Sequence, residues 1–162
     1  MTVSDYVSYR LMSADIRKVM EGNRCRLVFQ SPLALKYQGE IRKSFLPEAL
    51  LAAIERRIYI LNCYEGNSEY NKDGKISIDE HLPVMAKERV WPEKVLRYSG
   101  TQNSKVTFSG IRGWCDLESI DGTALELLLA GELLHIGKNT SFGFGKYTLV
   151  ENKLNGDQYK RV

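Results

Sequence analysis

GELLHIGKNTSFGFGKY, residues 131–147, is the stretch whose reading decides the fold. Gly137, Gly143 and Gly145 fall close together in it, with Lys138, Thr140, Ser141 and Lys146 between or beside them. Glycine lets the backbone take φ > 0 and lets a second backbone come close. A loop of this kind can aim amide N–H groups at an anion. An apolar, helix-like segment precedes it, and a β-like run, Tyr147-Thr148-Leu149-Val150, follows. The loop therefore joins a helix to a strand. A nucleotide P-loop runs the other way, from strand through glycines to helix, with phosphate at the helix N-terminus. That order, and the absence of GxxxxGK followed by Ser or Thr, exclude an ordinary nucleoside-triphosphate site. Two readings stay open from the glycines alone: a loop beneath a polyanion, or a turn that only packs two elements together.

Outward from the loop, TALELLLAGELL is apolar almost all round, which predicts a well-buried helix. It starts at Asp121-Gly122-Thr123, with Thr123 and Glu126 at capping-box spacing. Residues 46 to about 63 predict a second helix, with Pro47 in its first turn. Its buried stripe is Leu46, Leu50, Ile54, Ile58 and Leu61. Arg56 and Arg57 extend from it, as a solvated face first and as phosphate contacts second. Arg24 to Gln30 alternates like a strand, with Cys25, Leu27 and Phe29 on an apolar face and Arg24, Arg26 and Gln30 on a basic one. Ser31-Pro32 ends that run, and Leu33 to Tyr37 with Gln38-Gly39 adds a short strand and turn. Trp91 to Gly100 and Lys105 to Leu117 predict paired strands, with Gly110 and Gly113 permitting a bend or bulge. Residues 64 to about 90 read as polar and irregular, and residues 1 to about 21 as a polar, weakly helical lead-in closed by Gly22-Asn23.

The order is β-α-β-β-α-β, an α+β, ferredoxin-like or RRM-like domain: an antiparallel sheet with two helices on one face. Length and composition agree: 162 residues fit one domain, and 43% hydrophobic residues suffice for a core. The boundaries are a lead-in over 1–22, a domain over 23–151 with the glycine-rich loop at 137–145, and a polar tail over 152–162. The net charge of +3 requires any nucleic-acid site to be a local patch. Cys25, Cys63 and Cys115 lie far apart with no CxxC spacing, which suggests neither zinc nor a disulfide framework but free thiols in a reducing cytoplasm. No membrane-spanning run or signal peptide is present.

One polar stretch, EYNKDGKISIDE, places Glu69, Asn71, Asp73, Gly74, Ile76 and Glu80 on ligand and turn positions of an EF-hand loop. Glu stands where a tight loop needs Asp, and Pro83 interrupts the helix that should follow. An acidic surface turn is the better reading, with His81 beside it exposed and idle.

The loop also resembles the glycine-rich loop of the CRISPR-associated endoribonucleases that process repeat RNA, within the RAMP superfamily. The pattern is GEL, then LH-hydrophobic-GK, small polar residues, then FG-hydrophobic-G and a basic residue. It stands here at Gly131-Glu132-Leu133, Leu134-His135-Ile136-Gly137-Lys138 and Phe142-Gly143-Phe144-Gly145-Lys146. RLVFQSPLALKYQGEI is similar to the family's first strand and the Pro segment after it. Arg97-Tyr98-Ser99 with Gln102 resembles a family RYSxRQ segment, in which Thr101 replaces the second arginine. The resemblance covers residues 24 to about 150.

The resemblance implies binding of a CRISPR repeat stem-loop and one metal-independent cut by ribose 2′-OH attack, with no cofactor. Such chemistry needs a base, an acid and a cation. The chain has two histidines, His135 and His81. In the family the catalytic histidine commonly lies in a first ferredoxin-like domain, and this chain matches only the second. His135 is the catalytic candidate, although its place at a helix end favours a structural role, bonding loop carbonyls. The RNA-binding candidates are Gly137, Lys138, Gly143, Gly145, Lys146, Arg97 and Arg112, with Arg26 extending a basic track along the sheet. The expected partners are repeat RNA and either an N-terminal domain, other CRISPR effector subunits or a second copy across a dimer interface. The alternative is a non-catalytic RAMP subunit that only holds guide RNA.

Overall fold

The computed structural model describes residues 2–65, 77–100 and 104–152. Helices α1 (Val3–Leu11) and α2 (Ala14–Gly22) lead into strand β1 (Arg24–Leu33). A small hairpin follows, β2 (Lys36–Tyr37) and β3 (Glu40–Ile41), then α3 (Pro47–Tyr64). After a 3₁₀ turn at Ile78–His81 come β4 (Val84–Ser99), β5 (Ser104–Glu118), α4 (Gly122–Leu134) and β6 (Tyr147–Glu151). The main sheet has the order β4-β5-β1-β6 and is antiparallel throughout. Taken as β1-α3-β4-β5-α4-β6, this is the expected ferredoxin-like arrangement.

The alternation of β1 sets the layers. Cys25, Leu27 and Phe29 are buried in one core with Leu50 and Ile54 of α3, Leu125 and Leu128 of α4, and Leu149 of β6. Helix α3 starts with Pro47 in its first turn, as expected. Its buried face is Ala49, Leu50, Leu51, Ile54 and Glu55. The stripe fades beyond that point, with Ile58 and Leu61 half-buried. Helix α4 buries Ala124, Leu125 and the whole run Leu127 to Gly131. The cap of α4 is Asp121, not Thr123, because Thr123 already lies inside the first turn. Asp121 Oδ1 accepts from the Ala124 N–H at 2.7 Å, and Oδ2 pairs with His81 Nδ1 at 2.5 Å. His81 is therefore engaged, not idle.

The lead-in is more ordered than its polarity predicts. Helix α1 has a complete capping box between Thr2 and Asp5, and α2 buries Ile16 and Val19 in the core. Asn23 ends α2 in the left-handed region at φ 50°. One carboxylate fastens this segment to the rest: Glu132 accepts from Tyr6 OH at 2.5 Å and the Leu149 N–H at 2.7 Å, and pairs with Arg10 Nε at 3.0 Å. It thereby joins α1, α4 and β6.

The hairpin β4–β5 begins earlier than expected, at Val84. Residues 84–90 read as irregular because nearly all are exposed on both sides. Their pairing with β5 over Val84↔Glu118 to Val90↔Gly113 makes them a strand. Strand β1 also runs past Ser31-Pro32 to Leu33, through a register shift against β5 between Phe29 and Leu33. The turn Gln38-Gly39 has φ 51° and 86°, the doubly left-handed form that closes a two-residue hairpin.

Arg26 is the main departure in charge. It stands on the side of β1 away from Cys25 and Leu27, as expected, yet it is only 7% exposed. Its Nε and Nη2 donate to the carboxylate of Asp116 on β5 at 2.6 and 2.9 Å. Its guanidinium stacks 3.7 Å from the centroid of Trp114. A buried pair of this geometry offers no positive charge to solvent, so Arg26 drops out of the expected basic track.

Cys25 and Cys115 are buried free thiols, which burial pushes well above the ordinary thiol range; Cys63 is a free, exposed one. No described helix is long and apolar enough to cross a membrane. Residues 69, 71, 73, 74 and 76 of the EF-hand-like stretch, and Thr101 and Gln102, lie outside the described residues. Glu80 is exposed in the 3₁₀ turn.

Glu132→Ala should lower stability by about 2–3 kcal/mol in urea denaturation, since it leaves the Tyr6 phenol and the Leu149 N–H without their acceptor and, among the described residues, Arg10 with Asp15 as its one carboxylate. Burial first, and then the hydrogen bond to Glu132, push the Tyr6 phenol up to about 12. A raised folded value means that its contribution is complete below about pH 10 and is lost as pH rises through about 12. Tyr6→Phe should flatten the fall of stability across that window.

Candidate nucleic-acid interface

The loop after α4 is built by close backbone contact. His135 caps the helix at φ 54°, ψ 117°. The next residue, Ile136, is buried and donates its N–H to Gly145 O at 2.9 Å. Gly145 donates to Pro32 O at 2.9 Å, and Lys138 donates to Ala34 O at 2.8 Å. The two ends of the loop are thus tied to each other and to the chain just beyond β1. A Cβ on Gly145, at φ +83°, would overlap Ile136 O, and one on Gly137, at φ +96°, would come 2.5 Å from Ala34 O. Gly131 serves the same purpose inside α4, where the Tyr147 phenol and Ile54 press against its bare Cα. That phenol donates to Leu128 O at 2.6 Å.

This geometry decides how an anion can be met. The N–H groups of Ile136, Lys138, Phe142, Gly143, Phe144 and Gly145 all donate to backbone carbonyls, and that of Lys146 donates to Ser31 Oγ. These amides are consumed by the fold. An anion at the loop would not meet these seven amides, which narrows the cradle that the sequence suggested to the N–H groups of Gly137, Asn139, Thr140 and Ser141 beside the loop's side chains.

The side chains fall into two groups. Exposed Arg97 of β4 lies 4.3 Å over the ring of Phe142, which is itself 46% exposed. Phe142 packs 4.9 Å from Phe108 of β5, and Phe108 lies 6.3 Å edge-on from Phe144. The hairpin therefore closes onto the Thr140–Phe142 turn and brings Arg97 to the loop. On the other group, Lys138 lines a cleft of about 260 Å³ with Lys36 of β2 and Arg56 and Arg57 of α3. Lys146 is exposed ahead of β6 and does not line that cleft. Arg112 is drawn to Glu93 across the hairpin at 3.6 Å.

His135 is half-buried, and among the described residues its imidazole has no hydrogen-bond partner, so it does not make the expected bonds to loop carbonyls. With His81 held by Asp121, no pair of histidines converges. Lys36 is the residue that the sequence reading missed in this region. Its only signal is its place two residues before the Gln38-Gly39 turn, and the turn gives no hint that α3 lies opposite. Among the described residues no group of three His, Cys, Asp or Glu side chains is placed to hold a metal ion.

An antiparallel ferredoxin-like sheet whose last helix and last strand are joined by a tightly packed glycine-rich loop defines the class. The family model of the CRISPR-associated endoribonuclease Cas6 matches residues 27–147, and the chain belongs to that family. Among solved structures, Thermus thermophilus Cas6 is similar at a TM-score of 0.58 and 15% identity, over 93% of this chain and 58% of that one. A Cas6 product complex is similar at 0.56 and 16%, over 92% of this chain and 56% of that one. A partial Cas6-RT-Cas1–Cas2 complex is similar at 0.56 and 13%, over 95% and 26%. At these identities the likeness is one of fold. The chain spans little more than half the length of the first two. No curated protein matches.

Gly145→Ala and Gly143→Ala separate the two uses of glycine. Gly143, at φ +86°, has open space where a Cβ would go, so alanine should cost only about 1–2 kcal/mol of left-handed strain. Gly145→Ala adds a backbone collision and should cost on the order of 3 kcal/mol or more in urea melts.

Proposed function

We propose that this chain is the RNA-binding part of a CRISPR repeat-RNA-processing endoribonuclease. The observation that carries the reading is the convergence on one glycine-rich loop of Arg97 with its aromatic partners and of Lys138. Lysine and arginine bind phosphate, and exposed aromatic rings beside arginine accept unstacked bases. Lys138, Lys146 and Arg97 contact the backbone of the repeat RNA in this reading. Gly137, Gly143 and Gly145 act by shaping the loop, and Arg112 acts as a weaker cation because Glu93 faces it. A stem is recognised by shape and phosphate, since its A-form major groove is too narrow for side chains to read.

The reaction in which it takes part is attack of a ribose 2′-oxygen on the adjacent phosphorus. The 2′-proton passes to a base, the bond to the 5′-oxygen breaks, and that oxygen takes a proton from an acid. The products are a 2′,3′-cyclic phosphate and a 5′-hydroxyl. His135 is the one histidine at the loop, and a single imidazole without a partner is a poor basis for both transfers. The second proton-transfer group then comes from a first domain, from another subunit of a CRISPR effector complex or from a second copy. The alternative reading, a non-catalytic subunit that holds guide RNA, is favoured by the same isolation of His135. Both readings place the protein with RNA in the cytoplasm, where thiols stay reduced.

The test is incubation of the chain with labelled repeat stem-loop RNA, with and without EDTA, beside RNA carrying a 2′-deoxy at the cut position. Binding without cutting is expected. A single cut that survives EDTA and vanishes with the 2′-deoxy would make the chain a complete nuclease and give His135 both roles. Lys138→Ala with Lys146→Ala should weaken binding and lower the salt slope by about 1–2. Unchanged affinity at low salt would remove the loop from the RNA path.

A further inference from the structure

The cleft between α3 and the loop has a composition that the fold does not need. It is lined by Lys36, Arg56, Arg57 and Lys138 together with the apolar Ala52, Ala53 and Ile60, which we call its floor, and by Gly137. No acidic side chain among the described residues pairs with any of the four cations. By contrast Arg10 is neutralised by Asp15 and Glu132, Lys18 by Glu151 and Arg26 by Asp116, whereas Arg89, Lys94 and Lys105 on the hairpin stand outside ion pairs among the described residues but do not line this cleft. Arg57 Nε is moreover a buried donor with no acceptor. Like charges gathered on one recess repel, and a buried N–H without an acceptor costs free energy. An anion between them removes both costs.

We infer that this cleft binds one unpaired nucleotide of the RNA, with its phosphate among Lys36, Arg56, Arg57 and Lys138 and its base on the Ala52, Ala53 and Ile60 floor. The inference rests on the RNA-binding reading above and extends it to a second contact. The floor argues for an unpaired nucleotide, because a base held in a duplex stack cannot turn its face to the protein. The size agrees: about 260 Å³ falls just under the roughly 300 Å³ at which pockets begin to enclose a whole small ligand. It suits one link of a chain that enters and leaves. The small side chains of Ala52 and Ala53 keep the recess open, and Gly137 holds Lys138 at its edge by hugging Ala34. The arginines favour phosphate over carboxylate only modestly, so an acidic peptide is the competing occupant. RNA is favoured because the cleft adjoins the loop that brings Arg97 and Phe142 together.

The experiment measures binding by anisotropy to three labelled RNAs: a blunt repeat stem-loop, the same stem-loop with short single-stranded flanks, and the flank alone. Adenosine monophosphate and polyglutamate serve as competitors. The flanked RNA should bind about tenfold more tightly than the blunt one. Arg56→Ala with Arg57→Ala should abolish that difference, lower the salt slope for flanked RNA by about 1.4, and leave blunt RNA unchanged. Ala52→Phe should remove the difference by filling the floor, without altering the slope. Arg17→Ala with Lys18→Ala, on α2, removes as much charge and should change none of these, and far-ultraviolet dichroism confirms that each variant is folded. Equal losses on blunt and flanked RNA would overturn the inference in favour of duplex backbone. Competition by the mononucleotide to the same extent as by the flank would replace it with a free-nucleotide site. Displacement by polyglutamate alone would assign the cleft to an acidic protein. Blunt RNA bound normally with no gain from the flank sinks the inference alone, whereas wild-type protein that binds no RNA sinks the parent reading.

Discussion

The contact on which the rest depends is the closure of backbone on backbone at Ile136 and Gly145. Ile136 donates to Gly145, Gly145 donates to Pro32, and Lys138 donates to Ala34. Three chain segments meet there with no room for a side chain at Gly137 or Gly145. This closure places β6 beside β1, turns the 3₁₀ segment toward the hairpin, and sets Lys138 at the mouth of a cleft. A glycine-rich loop is often taken as a sign of flexibility or of an amide cradle. Here Gly137 and Gly145 are spent on proximity, and the closure fixes where the side chains of Lys138 and Phe142 stand.

Charge in this protein is local by the same logic. The net charge is small, yet it is unevenly paired. Arg26 and Asp116 consume each other under Trp114, and Arg10 and Glu132 consume each other where α1 meets α4. Breaking a buried pair costs about 3–5 kcal/mol, so these arginines are committed to structure. Among the described residues, exposed cations outside ion pairs lie both on the β4–β5 hairpin, at Arg89, Lys94 and Lys105, and around the loop and α3, at Lys36, Arg56 and Lys138. Where they gather, a polyanion gains electrostatic contacts.

Much of the architecture was legible because its signals are periodic. Alternation over Arg24 to Gln30, helical spacing from Leu46 to Ile54, and the apolar run before the loop gave three central elements and the order of the rest. The failures share a cause. Helices α1 and α2 hide in polar sequence because only Ile16 and Val19 reach the core, which is too few for a period. Residues 84–90 are strand only by virtue of β5, and no local pattern marks an edge exposed on both sides. The spacing of Thr123 to Glu126 points to Thr123 as the cap of α4, and only geometry moves it to Asp121. Arg26 finds its carboxylate ninety residues away, and the cleft is assembled from β2, α3 and the loop, so no local reading of the sequence joins them.

The place of β1 in the sheet has a consequence for how the molecule is made. It lies between β5 and β6, and it pairs with residues 111–118 on one side and 147–151 on the other. An emerging chain therefore holds its central strand long before either neighbour exists. The hairpin β4–β5 and the helices are local structures that form early, whereas the sheet waits for the C-terminal segment. The strand that completes the sheet is also the one that draws the glycine-rich loop tight. Assembly of the interface is thus coupled to completion of the domain, and a chain halted before residue 147 carries its cations without the geometry that gathers them.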